Sequence, residues 1–92
     1  MASTKWDLGY AIEWRNEEGK LHREDGPARE YKDGGKEWWF KGLLHRVDGP
    51  AIMYANGYKE WSYKGLEFKS EEEWFKALSA EEQLDYIFNI ES

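Results

Sequence analysis

The apolar positions of this chain follow two periods. From Ile12 to Tyr63 apolar and aromatic residues alternate with charged ones, the spacing of strands buried on one side. After Lys69 they recur at helical spacing, as Trp74, Phe75 and Leu78 and then Leu84, Ile87, Phe88 and Ile90. A capping box, Ser followed three residues later by Glu, precedes each set: Ser70 with Glu73 and Ser79 with Glu82. The pattern predicts an α+β arrangement, an antiparallel sheet of β-hairpins capped by two short C-terminal helices over 70–90, whose apolar stripes form the lid on the sheet's aromatic face.

The alternating part is written in repeats. Residues 21–43 and 44–66 are identical at 15 of 23 positions, sharing Leu-His-Arg, Asp-Gly-Pro-Ala, a Tyr, a Gly, Lys-Glu-Trp and Lys-Gly-Leu. A period of this length marks stacked supersecondary units. Asp33-Gly34 and Asn56-Gly57 sit at the same point of each unit and favour a two-residue type I′ turn. Such turns pair Tyr31 with Lys36 and Arg29 with Trp38, then Tyr54 with Lys59 and Ile52 with Trp61. Arg29, Tyr31, Trp38 and Phe40 then share one face with Ile52, Tyr54, Trp61, Tyr63, Ile12 and Trp14. Glu13, Glu30, Glu37, Trp39, Lys41, Met53, Glu60, Ser62 and Lys64 fall on the other, solvated face. Lys41-Gly42 and Lys64-Gly65 reverse the chain again, and Asp-Gly-Pro-Ala forms a further corner. A partial unit over 9–20 aligns Gly9 to Trp14 with Gly26 to Tyr31 and Gly49 to Tyr54, and Met1 to Lys5 reads as a loose start. The whole chain, 1–92, reads as one domain.

The phrase Leu-His-Arg-x-Asp-Gly-Pro-Ala, followed by Lys-Glu-Trp and Lys-Gly-Leu, resembles the tandem repeat of small proteins of tailed bacteriophages and some bacteria, and is similar to the wider group of MORN-like hairpin repeats. The likeness covers 21–66 well, 9–20 in part and the helical tail hardly at all. It implies a β-hairpin array, a phage origin and a role in host takeover or counter-defence, and it transfers no catalytic residue.

Composition narrows the chemistry. Six Trp, six Tyr and four Phe in 92 residues supply the large side chains that a small core needs. With no cysteine there is neither a disulfide framework nor a thiolate site, which fits a reducing compartment such as the cytoplasm; the resemblance implies that of a bacterial host. No apolar run reaches membrane-spanning length, so no membrane contact is expected. The net charge of −6 lies on the tail: residues 71–92 carry seven acids against Lys76, and residues 1–70 are neutral. That favours a basic partner over a phosphate backbone, and direct nucleic-acid binding is disfavoured although lysines interleave with aromatics.

His22 and Asp25, with His45 and Asp48, stand at catalytic or metal-ligand spacing, but two histidines in all are too few for a zinc site. Each pair sits inside a phrase repeated whole, the mark of a structural corner, so neither a catalytic residue nor a metal or cofactor site is expected. The glycine turns open no helix and are not phosphate loops. Where the units differ, Trp39 stands against Ser62 and Met53 against Glu30. An exposed Trp39 and Met53, flanked by Glu37 and Glu60, are candidate anchors for a protein partner, with burial of Trp39 under Trp6 as the alternative. Glu71, Glu72, Glu81, Glu82 and Asp85 join them as a candidate contact surface, or serve only the helix N-termini. The expected function is non-catalytic binding and inhibition of a host protein. Alternatives are a small-ligand module, for example for a nucleotide signal, and an acidic mimic of DNA; a homo-oligomer stays open.

Overall fold

The structure, a computed structural model, describes the backbone of residues 3–91 and side chains through Asn89. Each unit reverses the chain twice. The first reversal joins β1 (Thr4–Asp7) to β2 (Ala11–Arg15), β3 (Arg29–Tyr31) to β4 (Lys36–Glu37), and β7 (Ile52–Met53) to β8 (Lys59–Tyr63). The second joins β5 (Trp39–Phe40) to β6 (Leu43–Leu44), and β8 to β9 (Leu66–Phe68). Among the described residues the strands form a seven-stranded sheet in the order β1-β2-β3-β4-β7-β8-β9, all neighbours antiparallel, beside the β5-β6 pair. Helices α1 (Glu71–Ala77) and α2 (Ala80–Glu91) follow. The coarse expectation, an antiparallel sheet with two C-terminal helices, therefore holds. The start is tighter than expected, with a strand already at Thr4; Met1 and Ala2 lie outside the described residues.

The first turn of each full unit is not the two-residue type I′ turn expected at Asp33-Gly34 and Asn56-Gly57. At Tyr31 the N–H donates to the Gly35 carbonyl and the Gly34 N–H to the Tyr31 carbonyl, closing a three-residue loop with Gly34 at φ +102°. Tyr54, Gly57 and Tyr58 repeat it, with Gly57 at φ +92°. This is the type I turn with a bulge that needs a left-handed residue, hence the glycines. Its extra residue is stabilised by side chains: Asp33 Oδ1 accepts from the Gly35 N–H and Asn56 Oδ1 from the Tyr58 N–H, both at 2.9 Å. The two-residue type I′ turns lie instead at Lys41-Gly42 (φ +51°, +82°) and Lys64-Gly65 (φ +51°, +84°).

One extra loop residue shifts the register by one. Arg29 pairs with Glu37, not Trp38, and Ile52 with Glu60, not Trp61. A one-residue slip moves every side chain of one strand to the other face, so the expected division into an aromatic and a charged face is overturned. One row across the sheet instead runs Trp6, Glu13, Arg29, Glu37, Ile52, Glu60. Within it Glu13 is buried at 2% exposure and bonded by Arg15 and Arg29.

The partial unit is also differently framed. The Trp14 N–H donates to the Ala28 carbonyl as the Trp38 N–H does to Ala51, and the His22 N–H reaches Trp14 as that of His45 reaches Trp38. Glu13-Trp14 is thus the counterpart of Glu37-Trp38 and Glu60-Trp61, and β2 matches the second strand of later units. Trp14 does not correspond to Tyr31.

Stacking links successive units. The Arg23 guanidinium lies 3.9 Å from the Trp14 ring centroid and that of Arg46 3.7 Å from Trp38. Asp25 and the Pro27 carbonyl hold the first, Asp48 and the Pro50 carbonyl the second. The guanidinium passes so close to Gly49 that a Cβ there would sit 2.7 Å from Arg46 Cζ and would push the arginine from its place over Trp38. Trp61 has no arginine after it, because Lys69 stands at that place in the period. Trp74 of α1 stacks on Trp61 instead, centroids 4.7 Å apart, and its Nε1–H donates to the Arg46 carbonyl. With Leu78 and Tyr86 it forms the buried core, against which Val47, Tyr63, Phe68 and Phe75 pack. The helices therefore close the array where a further unit would begin.

Candidate partner-binding site

The candidate residues divide into two groups. On the sheet, Glu37 accepts from Arg29, Tyr31 and the Trp39 indole, and Glu60 accepts from the Tyr54 hydroxyl. Met53 pairs with Lys36 and Lys59 in the row beside them, on the opposite face. Trp39 is half-buried, as Trp38 and Trp61 are, and its counterpart Ser62 is buried. The expectation of an exposed Trp39 opposed to core Trp38 and Trp61 is corrected: Trp39 shares a side with Glu37, as expected, but its indole is tied to that carboxylate and half-buried, and the fully buried tryptophan is Trp74.

On the tail, both capping boxes form. Ser70 Oγ accepts from the Glu73 N–H and Ser79 Oγ from the Glu82 N–H. Glu71 accepts from the Tyr86 hydroxyl, and Glu72 pairs with Lys76 at 3.4 Å one turn on. Glu82 accepts from the Ser79 N–H and the Tyr63 hydroxyl. Three of the five acidic candidates on the tail thus have partners within the chain, and Glu81 and Asp85 are exposed.

The larger departure concerns α2. Its stripe was expected to cover the sheet, yet among its described residues only Tyr86 is buried, while Leu84 is 58% and Phe88 72% exposed and Ile87 is exposed beside them. Residues two apart on a helix point about 200° apart, so one set must face away when the other packs. Tyr86 wins the inner side because Trp74 meets it edge-on and Glu71 takes its hydroxyl. Burial and then the Glu71 contact push that hydroxyl up to about 12. Leu84, Ile87 and Phe88 form an i, i+3, i+4 stripe toward solvent, bordered by Glu81 and Asp85. Two apolar sides on one helix were the signal available in the sequence. Ile90 lies outside the described side chains.

A cleft of about 690 Å³ lies between this helix and the corners of the array, lined by Trp38, Phe40, His45, Arg46 and, from α2, Asp85 and Phe88 among others, so that Phe88 belongs both to the exposed stripe and to this cleft. No protein-family model, curated protein or solved structure matches this chain. Among the described residues no group of three His, Cys, Asp or Glu is placed to hold a metal ion, and no helix is long and apolar enough to cross a membrane.

Both histidines serve turns. His22 Nδ1 accepts from the Lys41 N–H at 2.9 Å and His45 Nδ1 from the Lys64 N–H at 2.8 Å. Each lysine is in the left-handed region, which costs a residue with a Cβ about 1–2 kcal/mol, and the imidazole fixes its amide there. The rings also stack in a line, His22, Phe40, His45, Tyr63. Accepting at Nδ1 requires a neutral ring. Burial, opposed by the charge of Glu82 and helped by Lys64, holds His45 below its ordinary value of 6.5. A lowered folded value means that the unfolded chain takes up the proton first. Stability is therefore expected to fall as pH drops below about 6.5. A second fall is expected below 4.5, where burial raises Glu13 and Glu82 but their hydrogen bonds lower them further. Denaturant melts between pH 8 and 4 check this; a flat profile through pH 6, or one shared by His45→Gln, would contradict the assignment.

Proposed function

We propose that this chain is a non-catalytic protein-binding module in which the hairpin array is the scaffold and the outer side of α2 the contact surface. The observation that carries the reading is the exposed stripe of Leu84, Ile87 and Phe88 on a helix whose opposite side already closes the core. An apolar stripe bordered by Glu81 and Asp85, on a tail with one base, suits a partner surface that is apolar at its centre and basic at its rim. The like charge of two such tails makes pairing of copies through α2 the less favourable use. The resemblance to phage repeat proteins adds a phage origin, a MORN-like class for the unit and a host protein in the bacterial cytoplasm as target, inhibited by direct contact.

The double substitution Leu84→Ser, Phe88→Ser tests this. Both side chains are exposed, so folding stability should change by about 0.5 kcal/mol or less per site. Loss of a binding hot spot costs about 2 kcal/mol or more, roughly thirtyfold in affinity. The protein that wild type captures from bacterial lysate should be lost from the variant at unchanged melting temperature. Equal capture by both would overturn the reading.

A small-ligand function is the second reading, and the cleft between α2 and the array favours it, since its volume is of the size that takes small molecules. It ranks second because Asp48, one of the acids in its wall, already holds Arg46. The DNA-mimic reading draws less support, since Glu71, Glu72 and Glu82 are engaged within the chain.

A further inference from the structure

In the first unit Arg29 occupies a place defined by three neighbours. Its Nε donates to Glu13 Oε2 at 2.7 Å, and one terminal nitrogen donates to Glu37 Oε1 and to the Tyr31 hydroxyl, both at 3.1 Å. Glu13, Arg29 and Glu37 lie side by side on three adjacent strands. The same row continues as Glu37, Ile52 and Glu60. One unit along, Glu37 stands where Glu13 stood, Glu60 where Glu37 stood and Tyr54 where Tyr31 stood. Even the hydroxyl contact recurs, Tyr54 donating to Glu60 as Tyr31 does to Glu37. The three groups that hold a guanidinium are repeated and the guanidinium is not, because Ile52 replaces it.

A cavity of about 190 Å³ opens beside this place, lined by Tyr31, Asp33, Lys36, Glu37, Ile52, Met53 and Tyr54 among others, with Glu60 next to Ile52 in the row but outside the lining. Acids surround the Tyr54 hydroxyl at its edge: the Glu60 hydrogen bond, then burial, then the charges of Glu60 and Glu37 push it up to about 12. From this geometry we infer that the slot between the hairpin tips binds an arginine side chain presented by a protein partner. Its methylenes lie on Ile52 and its guanidinium reaches Glu37, Glu60 and the Tyr54 hydroxyl. The planar, weakly hydrated fork suits two carboxylates on either side of an apolar floor better than the compact ammonium of lysine. The inference rests on the reading of the chain as a protein-binding module and uses residues separate from the α2 stripe.

The test is an amide chemical-shift titration of the full chain with N-acetyl-arginine amide, against N-acetyl-citrulline amide, which has the same shape without the charge. Saturable shifts are expected at Ile52, Tyr54 and Glu60, at least about tenfold weaker with citrulline. I52R should abolish them, because the introduced side chain fills the slot from within. Should that variant fail to fold, E60Q should weaken arginine binding about tenfold. Equal responses to arginine and citrulline, no saturable shifts, shifts that persist in I52R, or an unchanged affinity in E60Q would overturn the slot. The probe needs no partner, so the two proposals fail separately. Loss of arginine binding with capture through α2 intact removes only the slot, and the opposite result removes only the α2 surface.

Discussion

Trp74→Ala is expected to lower stability by about 3–5 kcal/mol, the cost of emptying a large buried aromatic site. Trp74 is fully buried, lies between Trp61 and Tyr86, and bonds the Arg46 carbonyl at 3.0 Å. It is also where the array ends, so its loss should expose Trp61 and free both helices from the sheet. For a domain of this size such a loss is a large part of the roughly 5–15 kcal/mol that holds it folded. Trp74→Phe keeps a ring on Trp61 but leaves the Arg46 carbonyl unmet, and should cost less, about 1–3 kcal/mol. Urea melts of the two variants check the order. Equal and small effects would mean that the helices do not close the array.

Glu13→Ala is expected to cost about 3 kcal/mol, at the low end for breaking a buried ion pair, because Arg15 and Arg29 are partly exposed and can rehydrate. The carboxylate is 2% exposed and holds both arginines, with Nε of Arg29 at 2.7 Å. Its repeat counterpart supplies the control. Glu60 has an isoleucine where Glu37 has Arg29 and bonds only the Tyr54 hydroxyl among the contacts described, so Glu60→Ala should cost about 1 kcal/mol or less. Thermal melts of the two variants side by side decide it. A Glu60 effect as large as that of Glu13 would contradict the row of paired charges.

Much of the architecture was legible, and for physical reasons. The repeat, the two glycine turns per unit and the capping boxes are local signals: a chain reversal does lie at Gly34 and Gly57, though of another turn type, and the caps form at Ser70 and Ser79. The register was not legible, because Asp-Gly and Asn-Gly suit both a two-residue and a three-residue hairpin loop, and the choice depends on side-chain bonds from Asp33 and Asn56. That one residue put Arg29 and Ile52 in the row of Glu37, on the side that Trp39 already shared with it. The frame of the first unit was missed because Gly-x-Ala was matched where Glu13-Trp14 carries the equivalence. The α2 stripe was misplaced because periodicity marks apolar sides without saying which one packs. Only the position of Trp74 and Glu71 makes it Tyr86. The arginine slot needs both the register and the comparison of units, so neither Glu37 nor Glu60 could be given that role from composition.

The central proposal, that the outer side of α2 is where a partner docks, is tested most directly by site-specific photo-crosslinking in bacterial cells that express the chain. A photoreactive residue replaces Phe88 in one variant and Trp6, exposed on the edge strand β1 at the far end of the sheet, in another. The account predicts one discrete protein crosslinked from position 88 and none from position 6. Crosslinks from position 6 alone, with none from 88, would contradict it.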